Sequence, residues 1–381
     1  MTLGATVLGV TIDGYAVEGG YDTEGRPHTS FSVAQSLGRI QASLRSQGTF
    51  EHLDELVGRA ADMGCRELRL TMEWARLEPR PDVRDLHALG TYVRALAAAA
   101  RAGMSTSVVL CDAAWPSWLG QEPWLSSWAP ERFAAHAGWL AGRLDGVAHS
   151  IVTFRAPNRA SSDGWRTATR PPYRKGAAAD ATSALDGMVV AHLLAAESIE
   201  AASPTTRRAV LFEASGSYEG EAVWRDLATG IVDPVLLAAR RDDYERSVPR
   251  TARRPSRRAR TPDAAALRSA RRWRDAPACE WWLASDDAEL LSATVEHAAG
   301  TVATIELGAG PRGWSSQLAT ALPLLAGGAV EVRALQLHGL VSSTGPLDQP
   351  VGLLDVDQHG GGWRVGQPDD GVATALARFG V

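Results

Sequence analysis

Apolar residues recur along this chain in two alternating rhythms. Short continuous runs near 5–10, 66–71, 106–111, 149–154, 208–213, 279–284, 301–306 and 332–338 predict strands. Between and after them, near 51–64, 87–103, 130–144, 182–201, 221–240, 262–273, 286–299 and 314–327, apolar residues return every third or fourth position, which predicts helices. In the first helix these are Leu53, Leu56, Val57 and Met63; in the second, Leu86, Leu89, Val93 and Leu96. Gly64 and Gly103 close these two helices, where glycine reaches the left-handed conformation without strain.

Strands alternating with helices predict a parallel sheet wrapped by helices, an α/β fold. Eight such units fit a closed (β/α)8 TIM barrel occupying residues 1–381 as one domain. A doubly wound open sheet is the alternative, but no glycine-rich phosphate loop follows the first strand to support it.

Two segments break the repeat. Residues 155–180 are rich in Pro, Gly and charge and follow the fourth strand, on the barrel end where active sites are built. Residues 240–274 hold thirteen Arg against four Asp or Glu. They read either as a docking patch for an acidic partner or as a solvated loop or linker. The second reading is preferred, since no aromatic residue stands within 246–272 to stack on bases.

Composition narrows the function classes. Of the 381 residues, 45% are hydrophobic, enough for a large core, and the net charge of −5 gives no general attraction to nucleic acid or acidic membranes. Cys65, Cys111 and Cys279 are far apart and odd in number, which signals neither a disulfide framework nor a zinc ribbon. Cys65 and Cys111 lie in apolar stretches and read as small core residues. No signal-peptide pattern and no membrane-length apolar run is present, so a cytoplasmic protein is expected. Acidic residues without clustered histidine imply no metal, and no cofactor is implied.

In a barrel, chemistry sits at the C-terminal strand ends. The first strand leads into Gly9-Val10-Thr11-Ile12-Asp13-Gly14-Tyr15-Ala16-Val17-Glu18-Gly19. The second gives Arg69-Leu70-Thr71-Met72-Glu73-Trp74-Ala75-Arg76-Leu77. The third gives Asp112, then Trp115-Pro116-Ser117-Trp118-Leu119, with Trp124 beyond. The fourth gives Thr153-Phe154-Arg155-Ala156-Pro157. The seventh gives Thr304-Ile305-Glu306-Leu307-Gly308, and the eighth ends at His338.

In this order the segments resemble glycoside hydrolase family 1, the retaining β-glucosidases and β-galactosidases. That family carries G-x-A-T-S-A-Y-Q-I-E-G, R-F-S-I-S-W-P-R-I, T-L-Y-H-W-D-L-P-x-W-L, T-F-N-E-P and I-T-E-N-G. The resemblance implies that Glu306 stands at the nucleophile position, with Arg69 the arginine beside it. It also implies that Ala156 replaces the acid/base glutamate. The sugar-contacting Gln, His and Asn are replaced by Ala16, Asp112 and Arg155.

Retaining glycosidases need two carboxylates, one as nucleophile and one as acid/base. Loss of a general acid typically removes about 10²–10⁴-fold in rate. Ordinary glucoside hydrolysis is therefore not expected. Glu73 stands where the family has a small residue and shares inward parity with Arg69 and Thr71. Glu306, Glu73 and Asp112 are the candidate catalytic residues. Arg69, Arg155, Trp115, Trp118, His338 and Glu18 are candidate ligand contacts.

Each has a plainer reading. Glu306 is also explained by a structural pair with Arg69, Glu73 by a rim pair with Arg76 or Arg155, and Asp112 by capping of its turn. His338 also reads as a satisfied core histidine, and the tryptophans as packing. Three functions stay open: a diverged enzyme acting on a glycoside-like or natural-product small molecule held in the barrel mouth, a non-catalytic pseudoglycosidase binding a ligand or partner, and a β-glycosidase with a relocated acid.

Overall fold

The computed structural model describes residues 6–21, 28–40, 47–112, 114–213, 278–283, 303–308, 314–326, 332–340, 353–354, 356–357, 363–368 and 370–377. Eight strands run in sequence order: β1 (Val7–Ile12), β2 (Glu67–Thr71), β3 (Ser105–Cys111), β4 (Ser150–Arg155), β5 (Arg207–Glu213), β6 (Ala278–Leu283), β7 (Ala303–Leu307) and β8 (Val332–His338). Each neighbours the next and β8 returns beside β1, the strand order of a closed barrel. The eight predicted strands are all present. The first runs two residues later than the apolar run suggested. Thr11 breaks that run, yet it remains in β1 and is buried.

The predicted helices near 221–240, 262–273 and 286–299, and the arginine-rich segment 240–274, lie outside the described residues. The others appear as α3 (Leu53–Asp62), α5 (Leu86–Arg101), α6 (Ala129–Arg143), α8 (Ala178–Ala202) and a helix over Trp314–Ala326. Four short helices join them: α1 (Tyr15–Glu18), α2 (Ser30–Ser36), α4 (Trp74–Leu77) and α7 (Pro157–Trp165). No helix among the described residues is long and apolar enough to cross a membrane.

The two glycine stops behave as the pattern requires. Gly64 has φ of 81° and Gly103 of 77°, both left-handed. Behind each, the chain bonds back onto its helix: Cys65 N donates to Ala60 O at 3.1 Å and Met104 N to Ala99 O at 3.0 Å. At the other end of α5, Asp85 accepts from Ala88 N at 2.9 Å, satisfying a helix N-terminal donor.

The chain divides into two compact units, one of residues 1–27, 35–108 and 280–381, the other of residues 28–34 and 109–279. In the first, β1 pairs in parallel with both β2 and β8, and β7 with β8. The register sets Thr11 beside both Arg69 and His338, and Glu306 beside Gln336. All five residues of β2 are buried, as a strand covered on both faces must be.

In the second unit β4 pairs in parallel with β5, with a register shift between Val152 and Arg155. α8 packs along α6, and its Gly187 lies so close to the chain at Trp124 that a Cβ would stand 2.0 Å from the Trp124 carbonyl oxygen. The stretch after β4, whose Pro, Gly and charge break the repeat, begins with helix α7. Pro157 occupies its first turn, where a missing N–H costs nothing.

Candidate functional site

Strand parity puts Glu306 of β7, Arg69 of β2 and His338 of β8 on one side of their strands, together with Asp13 beyond β1. Arg69 Nη1 donates to Glu306 Oε2 at 2.7 Å, and both side chains are 0% exposed. On the other side of the carboxylate, His338 Nδ1 lies 3.0 Å from Glu306 Oε1. The far nitrogen of the same ring, Nε2, lies 3.4 Å from Asp13 Oδ2. The Arg69 guanidinium thus holds one oxygen of Glu306, and the His338 ring stands between the other and the Asp13 carboxylate. Asp13 was not among the candidates from the sequence. Its signal was the inward alternation Gly9, Thr11, Asp13 continuing past the apolar run.

Glu73 is turned inward, as its parity with Arg69 requires, and is buried. It sits at the start of α4, and its Oε1 accepts from Tyr15 N at 2.8 Å. In this pose the carboxylate lies close against Gly14: a Cβ there would stand 2.3 Å from Glu73 Oε1. Arg76, weighed as a rim partner for Glu73, pairs with Glu18 instead, Nε to Oε2 at 2.9 Å.

Glu18, a candidate ligand contact, is taken up by a buried cluster. Its carboxylate accepts from the hydroxyls of Tyr21 and Tyr92 as well as from Arg76. Burial pushes both phenols well above the usual tyrosine range, and the Glu18 charge adds to this. Burial works against the Arg76 charge, but Tyr21 and Glu18 more than offset it and hold the guanidinium protonated. Tyr21 and Phe50 also present their ring faces to Arg76, at 4.6 and 3.9 Å from the centroids.

In the second unit, Asp112 and Arg155 meet each other. Arg155 Nη1 lies 3.2 and 3.3 Å from the two Asp112 carboxylate oxygens. The two positions that in the resembling family read sugar hydroxyls hold an ion pair. Ala156 follows, buried, with a left-handed φ of 48°. A non-glycine residue held there costs roughly 1–2 kcal/mol. Its N–H donates to Leu211 O at 2.6 Å, tying the end of β4 to β5.

The tryptophans divide between packing and surface. Trp115 is buried, donates Nε1 to Gly120 O at 3.0 Å and meets Trp124 edge to face. Trp124 continues into Phe133 and Phe154, so this cluster is core. Trp118 is half-buried, with the Arg132 guanidinium 6.0 Å above its ring.

Cys65 is buried among apolar neighbours, and burial pushes its thiol up to about 12, consistent with a core role. Among the described residues no cluster of His, Cys, Asp and Glu is arranged to hold a metal ion.

A model of glycosyl hydrolase family 1 matches residues 5–223. β-Glucosidase 47 of Arabidopsis thaliana is 26% identical over 176 residues, 44% of this chain; the chain spans about a third of that relative's length, 33%. Among solved structures, the AHE enzyme from Alicyclobacillus herbarius superposes with a TM-score of 0.78 at 15% identity, over 98% of both chains. A β-glucosidase from Exiguobacterium marinum gives 0.75 at 14% identity over 99% of this chain and 98% of its own. The family 1 β-glucosidase of Thermotoga maritima gives 0.74 at 14% over the same shares. At such identities these likenesses establish the (β/α)8 fold.

Proposed function

The chain belongs to glycosyl hydrolase family 1, and we propose that it is a member that binds a glycoside-like or natural-product small molecule without ordinary retaining hydrolysis. The reading is carried by one observation. The carboxylate at the nucleophile position is held by Arg69 with the His338 ring beside it, while the residue that follows β4 is Ala156, which has no proton to give.

A retaining mechanism needs its second carboxyl about 5–5.5 Å from the first. Of the new acids in the unit that holds Glu306, Glu73 accepts from the Tyr15 amide and Asp13 stands 3.4 Å from the His338 ring. Neither is poised to protonate a leaving group. The Asp112–Arg155 pair further supports the reading, since carboxylate and guanidinium satisfy one another rather than neutral sugar hydroxyls.

The test uses 2,4-dinitrophenyl β-glucoside, whose leaving group needs no acid. The expected result is no release of dinitrophenol above buffer, with or without azide, while a small-molecule panel yields at least one compound that raises the melting temperature. Turnover rescued by azide would show Glu306 acting as a nucleophile and overturn the reading.

A further inference from the structure

The chain from the end of β4 to the start of α8, residues 155–177, carries six Arg or Lys against a single Asp. Three of these arginines pair with acids of their own unit. Arg155 ends β4 and faces Asp112. Arg159 stands in the first turn of α7, with its Nε 3.2 Å from Asp163 Oδ2 one helical turn on, and 3.7 Å from Glu213 Oε2 at the end of β5. Arg170 reaches the same Asp163 Oδ2 through its own Nε, also at 3.2 Å. One carboxylate oxygen therefore serves two guanidinium groups.

This leaves Arg170 with an unused face. Its closest approach to Asp163 is through Nε, and its side chain makes no hydrogen bond among the described residues, although it is only 17% exposed. Burial and the neighbouring Arg159 and Arg155 work against its charge, and Asp112 and Asp163 only partly compensate. The third acid, Glu213, is itself pushed up by burial, so it is a weakened counter-ion. A guanidinium that meets its counter-ion through Nε keeps two amino groups, whose spacing matches the two-oxygen edge of a carboxylate or phosphate.

We propose that Arg170 and Arg159, backed by Arg155, form an oxyanion-binding fork for the carboxylate or phosphate group of a small molecule. The ligand class rests on the reading above, that the chain binds a small molecule. The fork itself is tested with anions alone, so its failure and the failure of that reading are distinguishable.

The full chain is titrated calorimetrically, at fixed ionic strength set with chloride, against inorganic phosphate and separately against acetate. Binding of at least one is expected, and the tighter of the two identifies the group. Arg170→Gln is expected to weaken it about tenfold or more, a lost charge-assisted pair. Arg170→Lys, which keeps the charge but loses the fork, is expected to weaken it less. Arg174→Gln, whose side chain is 45% exposed and pairs with Glu122 and Asp180, is expected to leave it unchanged. If neither anion binds beyond chloride, or if folded Arg170→Gln and Arg170→Lys both bind like the wild type, the proposal fails.

Discussion

At the residue scale, Glu306 is tied to the stability of the barrel as well as to the candidate site. Its pair with Arg69 is wholly buried, and removing one partner of such a pair typically costs about 3–5 kcal/mol, because the other charge is left uncompensated. Glu306→Gln is therefore expected to lower stability by about 3 kcal/mol in urea denaturation, with an unchanged denaturant slope. A carboxylate kept for chemistry at the expense of stability would give the opposite sign.

Glu213 makes a second residue-scale case. Burial raises its folded value above the unfolded one, against the pull of Arg159. Its stabilising contribution is then fully present below the ordinary glutamate value, about 4.3, and is lost as pH rises through the folded value. Glu213→Gln is expected to be more stable than the wild type at pH 8, with the advantage disappearing by about pH 4, as followed by thermal unfolding across that range.

Much of the site could be read at this scale, and the remainder depended on distant partners. The Arg69–Glu306 pairing followed from parity and from the resemblance. The fate of Glu18 did not, because its partners Arg76 and Tyr92 stand 58 and 74 residues away. No local pattern reports such a cluster. Arg159 and Asp163 do carry a signal, the four-residue spacing of a helix face, but it is masked in a stretch whose Pro, Gly and charge break the repeat.

Among the elements, those legible from the sequence had a single dominant cause. Strands buried on both faces are continuous apolar runs, and α3 and α5 end at glycines that the backbone requires to be left-handed. Length was harder. α8 begins at Ala178, four residues before the predicted 182, because its first turn is alanine-rich and lacks a side-chain cap. Gly187 within α8 has a packing cause. Replacing a helix-interior glycine by alanine ordinarily stabilises by about 1 kcal/mol, but here the added Cβ would meet the Trp124 carbonyl at 2.0 Å. Backbone cannot yield as a flexible side chain can. Gly187→Ala is expected to cost about 1–3 kcal/mol instead, measured by chemical denaturation.

For the whole molecule, the frame asks less of the sequence than hydrolysis does. The (β/α)8 strand order needs only the rhythm of apolar runs and helices, and it persists at 14–15% identity to β-glucosidases and related structures. Hydrolysis needs a set of groups present together. Ala156→Glu alone is therefore expected not to restore glucoside cleavage in a nitrophenyl β-glucoside assay. It returns a carboxyl worth about 10²–10⁴-fold in a competent site, but Ala16, Asp112 and Arg155 remain in place of the residues that would hold the sugar. Cleavage by this single variant at the rate of a competent β-glucosidase would show that grip had not been lost with the acid.

Gly14 and Glu73 show how two of these positions depend on one another. In the family's motifs they hold alanine and a small residue; in this chain a Cβ at position 14 would stand 2.3 Å from Glu73 Oε1. Alanine at 14 therefore obliges the Glu73 side chain to leave its present pose, and with it the Tyr15 amide it accepts from. The two positions are coupled, so that a change at either is felt through the other rather than on its own.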